Sequence, residues 1–196
     1  QHLPSRKQAY YYAERAKGGA GLIITEETSV HPTDWAYEKL IDAFSPAVIP
    51  GYRYMTDRVH REGGKIFLQL NHNGGQAGSE YSRRPVWSAS NTTDPLFGET
   101  AKAIDQADIE ELIAFYATSA VYGKEGGFDG IEFQGSHSSI LRQFLSPLTN
   151  HRQDAYGGSL ENRFRLVKEV AAAVREAIGP EMALGIRLSG EEYTDG

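Results

Sequence analysis

Four times along this chain a helix-forming stretch closes on glycine, and a short apolar run follows within a few residues. Gly18-Gly19 precedes the run 21–25, Gly63-Gly64 precedes 65–70, Gly126-Gly127 precedes 128–134, and Gly179-Pro180 precedes 183–189. A glycine just past a helix supplies the backbone conformation that stops it. The runs are rich in β-branched residues and lack the strict alternation of a half-exposed strand. They read as strands of a parallel sheet covered on both faces. Helix–strand pairs repeated in this way mean an α/β fold, either half of a (β/α)8 barrel or a doubly wound sheet. Periodicity by itself leaves both open.

The helices carry their own punctuation. Residues 4–17 have helix composition. Ser45 as N-cap, with Pro46 at the first helical position, opens a second helix running to about residue 62. A third, over 108–124, carries Ile109, Leu112, Ile113, Tyr116 and Ala120 as one apolar stripe. A fourth, over 160–178, repeats Leu160, Phe164, Val167, Ala171, Val174 and Ile178 at helical spacing behind a Ser159 cap. About 35 residues of little periodicity follow the second strand. A loop that long in a compact domain is usually functional or lid-like.

Composition removes several classes of function. A chain of 196 residues, 40% hydrophobic and 23% charged, suits one globular domain or a large piece of one. A net charge of −6 without a long basic run argues against nucleic acid or an anionic membrane as the main partner. There is no cysteine, so no disulfide, thiol nucleophile or iron–sulfur ligand lies within these residues. The apolar runs are too short to span a bilayer, and the polar start does not resemble a signal peptide. That start also lacks methionine, as expected of a chain entered in mid-domain. His31, His60 and His151 are scattered and suggest no metal site.

The stretch 127–165 reads GFDGIEFQGSHSSILRQFLSPLTNHRQDAYGGSLENRFR. A strand gives way to the polar and small residues Gln134, Gly135, Ser136, His137, Ser138 and Ser139, then to a short apolar helix over 140–145. Ligands of parallel α/β proteins sit past the carboxyl ends of strands, which is where His137 falls. The phrase FLSPLTNHRQDAYGGSLENRFR resembles the longest motif of the Old Yellow Enzyme family of flavin-dependent NADH:flavin oxidoreductases. The resemblance extends over nearly the whole chain. It implies a (β/α)8 TIM barrel, with residues 1–196 forming a partial FMN-binding domain from helix 1 to strand 5. Strand 1 and the half after strand 5 would lie outside this chain. Such a piece alone would expose two sheet edges and an open apolar interior, and should be unstable or associate.

The resemblance also implies roles for particular residues. A flavin needs hydrogen-bond partners along its pyrimidine edge and positive charge near N1 and O2. Gln69, in QLNHNG, matches the family's flavin-contacting glutamine, although a strand-end glutamine can equally satisfy loop backbone. Arg187, in GIRLS, matches the arginine placed against N1 and O2. A charge inside an apolar strand requires a partner, and a salt bridge to Glu132 is the other reading. Glu27 falls where the family has a small residue near flavin O4, so a carboxylate there is a departure. The family's His–His or His–Asn pair, which holds the substrate's carbonyl or other anion-like oxygen, reads Gln134 and His137 here. Its proton-donating tyrosine two residues later is Ser139, a poor general acid. His72 reads as a loop-ordering histidine, and Gly75 replaces an arginine of the same motif. The turn 156–159, with Asn162 and Arg163, reads as turn chemistry and a helix cap.

The function so implied is an FMN-dependent oxidoreductase, driven by NAD(P)H, that reduces an activated alkene such as an enone, enoate or enoyl or dienoyl thioester. The stretch QGSHSS resembles equally the GAHSY motif of trimethylamine dehydrogenases. That implies a dehydrogenase or demethylase of small methylated amines, in which Trp35, Tyr37, Tyr81 and Trp87 either cage a cation or simply pack the loops. A barrel whose substrate pair has been lost is the non-catalytic alternative. The accompanying expectations are a small-molecule substrate, no nucleic-acid or membrane partner, a cytoplasmic location and a homo-oligomer at full length. Any iron–sulfur cluster would lie downstream. Barrels bind phosphate on the loops after strands seven and eight, so this piece alone should hold FMN weakly.

Overall fold

In a computed structural model, which describes residues 2–95 and 97–193, helices and strands alternate as the glycine punctuation predicts. Helix α1 (Arg6–Lys17) opens on a capping box, with the Gln8 N–H donating to the Ser5 hydroxyl and the Ser5 N–H to the Gln8 side chain. Strand β1 (Leu22–Ser29) and the short β2 (Ile41–Asp42) follow. Ser45 caps a 3-10 turn (Pro46–Val48) that runs into α2 (Ile49–Arg61) and leads to β3 (Lys65–Asn71). Two further short strands, β4 (Trp87–Ser88) and β5 (Lys102–Ala103), pair with each other before α3 (Gln106–Glu125), which an Asp105–Asp108 capping box opens. The rest is β6 (Gly130–Gly135), α4 (Ile140–Leu145), α5 (Leu160–Arg163), α6 (Arg165–Ile178) and β7 (Ala183–Leu188). The helix-ending glycines have their physical reason: Gly19, Gly63, Gly127 and Gly179 have φ of +101°, +81°, +83° and +79°, where a side chain is disfavoured. At Gly126 a Cβ would lie 2.5 Å from that of Tyr52, so α2 and α3 cross at a separation only glycine permits.

Strand order separates the two architectures. The main sheet runs β2-β1-β3-β6-β7, and every pairing in it is parallel. The long strands β1, β3, β6 and β7 are each neighbour to the next in sequence, always added on the same side. A doubly wound sheet reverses at a switch point; a (β/α)8 barrel does not. The architecture is that of roughly half a barrel.

The register sorts side chains into two faces. Leu68, Ile131 and Leu184 form one row, and Leu70, Phe133 and Ile186 the next. These face the helices: a Cβ on Gly123 of α3 would meet Leu68 and Ile131 at about 3 Å. They join Tyr52, Met55, Leu112, Tyr116, Val170 and Val174 in one core, where each fully buried large side chain contributes roughly 1.5–3 kcal/mol. The opposite, inner face carries Ile24, Phe67 and Gly130 in its first row and Glu27, Gln69, Glu132 and Gly185 in its second. Asn71, Gln134 and Arg187 stand beyond them, nearest the carboxyl ends. The inner face thus changes from apolar to polar along the strands, and is not uniformly apolar.

Three expectations are corrected. Strand β1 continues past Thr25 to Ser29, because a bulge between Ile24 and Glu27 shifts its register and turns Glu27 inward. Leu22 at its amino end is 52% exposed rather than buried, since it lies on the inner face. The helix over 160–178 is broken at Phe164; Leu160 and Phe164 are 66% and 38% exposed, and the buried stripe is Leu166, Val167, Val170, Val174 and Ile178. Within the long loop after β3 lie the β4–β5 pair and a 3-10 turn (Gly74–Gln76).

Candidate active site

The inner polar rows bring together three of the residues singled out from sequence. Gln69 Nε2 donates to Glu132 Oε1 at 2.6 Å, and Arg187 Nε donates to the same oxygen at 3.2 Å. Glu27 is the neighbour of Gln69 in register, and Gln134 that of Arg187. Gln69 is buried, whereas the Arg187 side chain, on the edge strand of this half-barrel, is 48% exposed. Of the two readings of Arg187, the ion pair is the one observed: its Nε pairs with Glu132, and its two terminal nitrogens have no partner among the described residues.

Around Glu27 lie Tyr37 and two groups without a role in the sequence analysis, Asn71 and Asp34. Asn71 Nδ2 donates to the Glu27 carboxylate. Tyr37 is pushed up from the usual phenol range by burial and then by the Glu27 charge. Asp34 is fully buried; its Oδ1 accepts from Asn73 Nδ2 at 3.2 Å, and its Oδ2 has no partner among the described residues. Burial, reinforced by Glu27, holds this carboxyl well above the usual carboxylate range. Glu27 and Glu132 make the carboxyl end of the sheet acidic, with Arg187 as the counter-charge, while burial holds Asp34 toward its neutral form. The sequence signal for Asp34 and Asn71 was position alone: each polar residue stands at or just past a strand's carboxyl end.

His137 lies two residues past β6, exposed, with a left-handed φ of +30°. Its expected partners are otherwise engaged. The Gln134 side-chain oxygen accepts from the Ser136 N–H at 3.1 Å and the Ser136 hydroxyl at 2.6 Å, so its amide folds back on its own turn. Ser139 is buried, and its hydroxyl accepts the Arg142 N–H at 3.1 Å as the N-cap of α4. The structure places Ser139 in the scaffold. It also places the long motif there: Arg163 donates to the Leu145 carbonyl at 2.7 Å, and Asn162 to the Gly157 carbonyl at 3.0 Å.

His72 and His31 form a buried chain that their spacing did not reveal. The Gly74 N–H donates to His72 Nδ1 at 2.9 Å, which leaves Nε2 to donate to the Thr33 hydroxyl at 2.9 Å. That hydroxyl donates to His31 Nδ1 at 2.8 Å, and His31 Nε2 donates to Glu111 at 3.1 Å. Both imidazoles are held below the usual histidine range by burial; Glu111 opposes this at His31, and His31 adds to it at His72. His72 thus orders the loop after β3, as read from sequence. The four aromatics do not assemble into a cage. Trp87 stacks on His31 at 4.4 Å, Trp35 donates to Asp42 at 2.7 Å, Tyr81 is exposed, and Tyr37 alone stands by Glu27. Among the described residues no helix is long and apolar enough to cross a membrane.

A family model for NADH:flavin oxidoreductases and NADH oxidases matches residues 2–196. The chain is 36% identical over 194 residues to the N,N-dimethylglycine/sarcosine dehydrogenase of Chromohalobacter salexigens, covering 97% of this chain and 28% of that protein. It is 37% identical over 186 residues to the NADPH dehydrogenase of Clostridium acetobutylicum, covering 95% of this chain and 54% of that one. The structure of the old yellow enzyme homologue from Zymomonas mobilis superimposes with a TM-score of 0.89 at 32% identity, covering 94% of this chain and 54% of that chain. The chain therefore spans between about a quarter and about half of these relatives. A single-wound parallel sheet, a polar row at its carboxyl end and a family match over almost every residue agree: the chain belongs to the NADH:flavin oxidoreductase / NADH oxidase family, of Old Yellow Enzyme type.

Proposed function

We propose that the full-length protein is an FMN-dependent oxidoreductase that takes reducing equivalents from NAD(P)H and passes them to an activated alkene, an enone, enoate or enoyl or dienoyl thioester. The observation that carries this reading is the Gln69 amide and the Arg187 guanidinium meeting on one oxygen of Glu132. When bound, FMN supplies the centre that accepts and donates hydride. The residues fit it. Gln69 keeps its carbonyl oxygen and a second N–H for the pyrimidine edge. The free terminal nitrogens of Arg187 offer positive donors beside it, and Glu132 fixes both side chains.

On the substrate side, the exposed His137 ring donates a hydrogen bond to a carbonyl oxygen and so polarises the acceptor. Gln134 joins it by turning its amide away from Ser136, giving up two hydrogen bonds, each worth about 0.5–1.5 kcal/mol net. With Ser139 occupied as a cap, the proton that completes the reduction is drawn from His137 or water. Homo-oligomeric assembly and a cytoplasmic location go with this reading.

One observation favours a second reading. Two carboxylates, Glu27 and Glu132, stand in the inner row near the carboxyl end of the sheet against one guanidinium, which suits a cationic methylated amine as hydride donor. One relative is named a dehydrogenase of dimethylglycine and sarcosine. The substrate-side test is His137→Ala in the full-length, flavin-loaded protein. The expected result is a fall of about 100-fold in kcat/KM for the alkene at unchanged flavin content. An unchanged kcat/KM overturns the role of His137.

A further inference from the structure

A side-chain-bearing residue with φ of +30° persists only where its surroundings over-determine it. Around His137 they do. The Ser136 N–H and hydroxyl are bound by Gln134, and the Ser138 hydroxyl donates to Asn73 Oδ1 at 2.8 Å. The Ile140 N–H donates to the His72 carbonyl at 2.7 Å. The Ser138 carbonyl, the first past His137, accepts from Gln143 Nε2 at 2.9 Å.

Gln143, on α4, is only 4% exposed, and its amide is saturated. Its oxygen accepts from the Gly75 N–H at 3.0 Å and the Ser88 hydroxyl at 2.9 Å, while its nitrogen donates to the carbonyls of Ser138 at 2.9 Å and Asn73 at 3.2 Å. Its orientation is not ambiguous, because backbone carbonyls only accept and the Gly75 N–H only donates. The loop after β3 is built around it: a Cβ on Gly74 would lie 2.2 Å from Gln143 Oε1. One buried amide therefore joins the loop after β3, strand β4 and the turn that carries His137. No chemistry has been assigned to it, and a buried amide in this state holds its partners in one arrangement.

We propose that Gln143 is a positioning residue for His137, acting through the Ser138 carbonyl; this rests on the reading of His137 as the substrate-facing group. The test is a double-mutant cycle of Gln143→Glu with His137→Ala in the full-length, flavin-loaded protein. Gln143→Glu is nearly isosteric and keeps the acceptors for Gly75 and Ser88, but sets a carboxylate oxygen against two carbonyls. In the wild-type background kcat/KM for an enone falls about 10- to 100-fold at unchanged flavin content, the scale of a displaced catalytic group. In the His137→Ala background the same substitution changes kcat/KM by no more than about twofold. Equal losses in both backgrounds overturn the proposal while leaving His137 intact as a catalytic residue. If His137→Ala alone has no effect, the parent reading fails first, and the proposal with it. A pH profile gives a readout that general loosening would not move: protonation of the new carboxyl restores one donor, so the variant recovers relative to wild type on acidification. Should Gln143→Glu not fold, Gln143→Ala enters the same cycle with the same expectations.

Discussion

Replacing Arg187 by alanine in the full-length protein separates its two roles by magnitude. The substitution removes a guanidinium whose Nε lies 3.2 Å from Glu132 Oε1. In the apoprotein, where water fills the empty flavin site, an ion pair of this kind is worth about 1 kcal/mol or less. Glu132 also keeps its 2.6 Å bond to Gln69, so no buried charge is left without a partner. The fold should therefore lose little. The flavin should lose more, since a hydrogen bond to a charged group is worth about 1.5–3 kcal/mol, or roughly 10- to 150-fold in Kd. The assay is reconstitution of the apoprotein with FMN, followed by quenching of flavin fluorescence, alongside thermal unfolding of the same apoprotein. The expected result is a Kd raised at least about tenfold with the apoprotein's Tm nearly unchanged. A Kd within about twofold of wild type, a difference below the smallest such bond, would refute the reasoning and leave Arg187 as a partner of Glu132 alone.

Other outcomes follow from the buried groups. His31 and His72 are neutral in the fold and held below their unfolded values, so the unfolded chain binds more protons below about pH 6.5 and stability falls there as pH drops. His72→Gln, which keeps an acceptor for Gly74 and a donor for Thr33, should flatten this limb in urea midpoints taken from pH 7 to 5; an unchanged slope contradicts it. Asp34 is held above its unfolded value, so its protonation stabilises the fold at low pH and that contribution is lost as pH rises. Asp34→Asn keeps the acceptor for Asn73, and its stability relative to wild type should therefore improve between pH 4 and 7; a pH-independent difference would count against the buried acid. Ser139→Ala should cost about 1 kcal/mol, the price of an N-cap, and leave turnover within a few-fold. A large rate loss at constant Tm would instead put the Ser139 hydroxyl in the chemistry.

Much of this organisation could be read in advance because it is local. Ser45 declares a helix start through its own hydroxyl, and the glycines at 19, 63, 127 and 179 declare helix ends through their backbone. Leu68 and Gln69 fall on opposite faces by the period of the strand, which sent Gln69 to the inner row. The bulge that turns Glu27 inward was not legible, because it depends on how β1 pairs with β3. The break at Phe164 escaped for a similar reason: Leu160 and Phe164 continue the apolar spacing of α6, and only the packing shows that the stripe starts at Leu166. At the site, the family resemblance, together with strand-end position, pointed to Gln69, Arg187 and His137 as candidates. The bond of the Gln134 amide to Ser136, the Ser139 cap and the Gln143 junction are matters of rotamer and three-dimensional neighbourhood, which spacing does not encode.

The measurement that tests the central claim most directly is anaerobic reduction of the full-length protein's flavin, followed by its visible absorbance. NADH or NADPH is offered in one cuvette and small methylated amines in another. The account predicts bleaching by a nicotinamide alone and recovery of the colour on adding an enone, enoate or enoyl thioester. Bleaching by an amine alone would contradict it and make the acidic site around Glu27 and Glu132 the seat of amine oxidation.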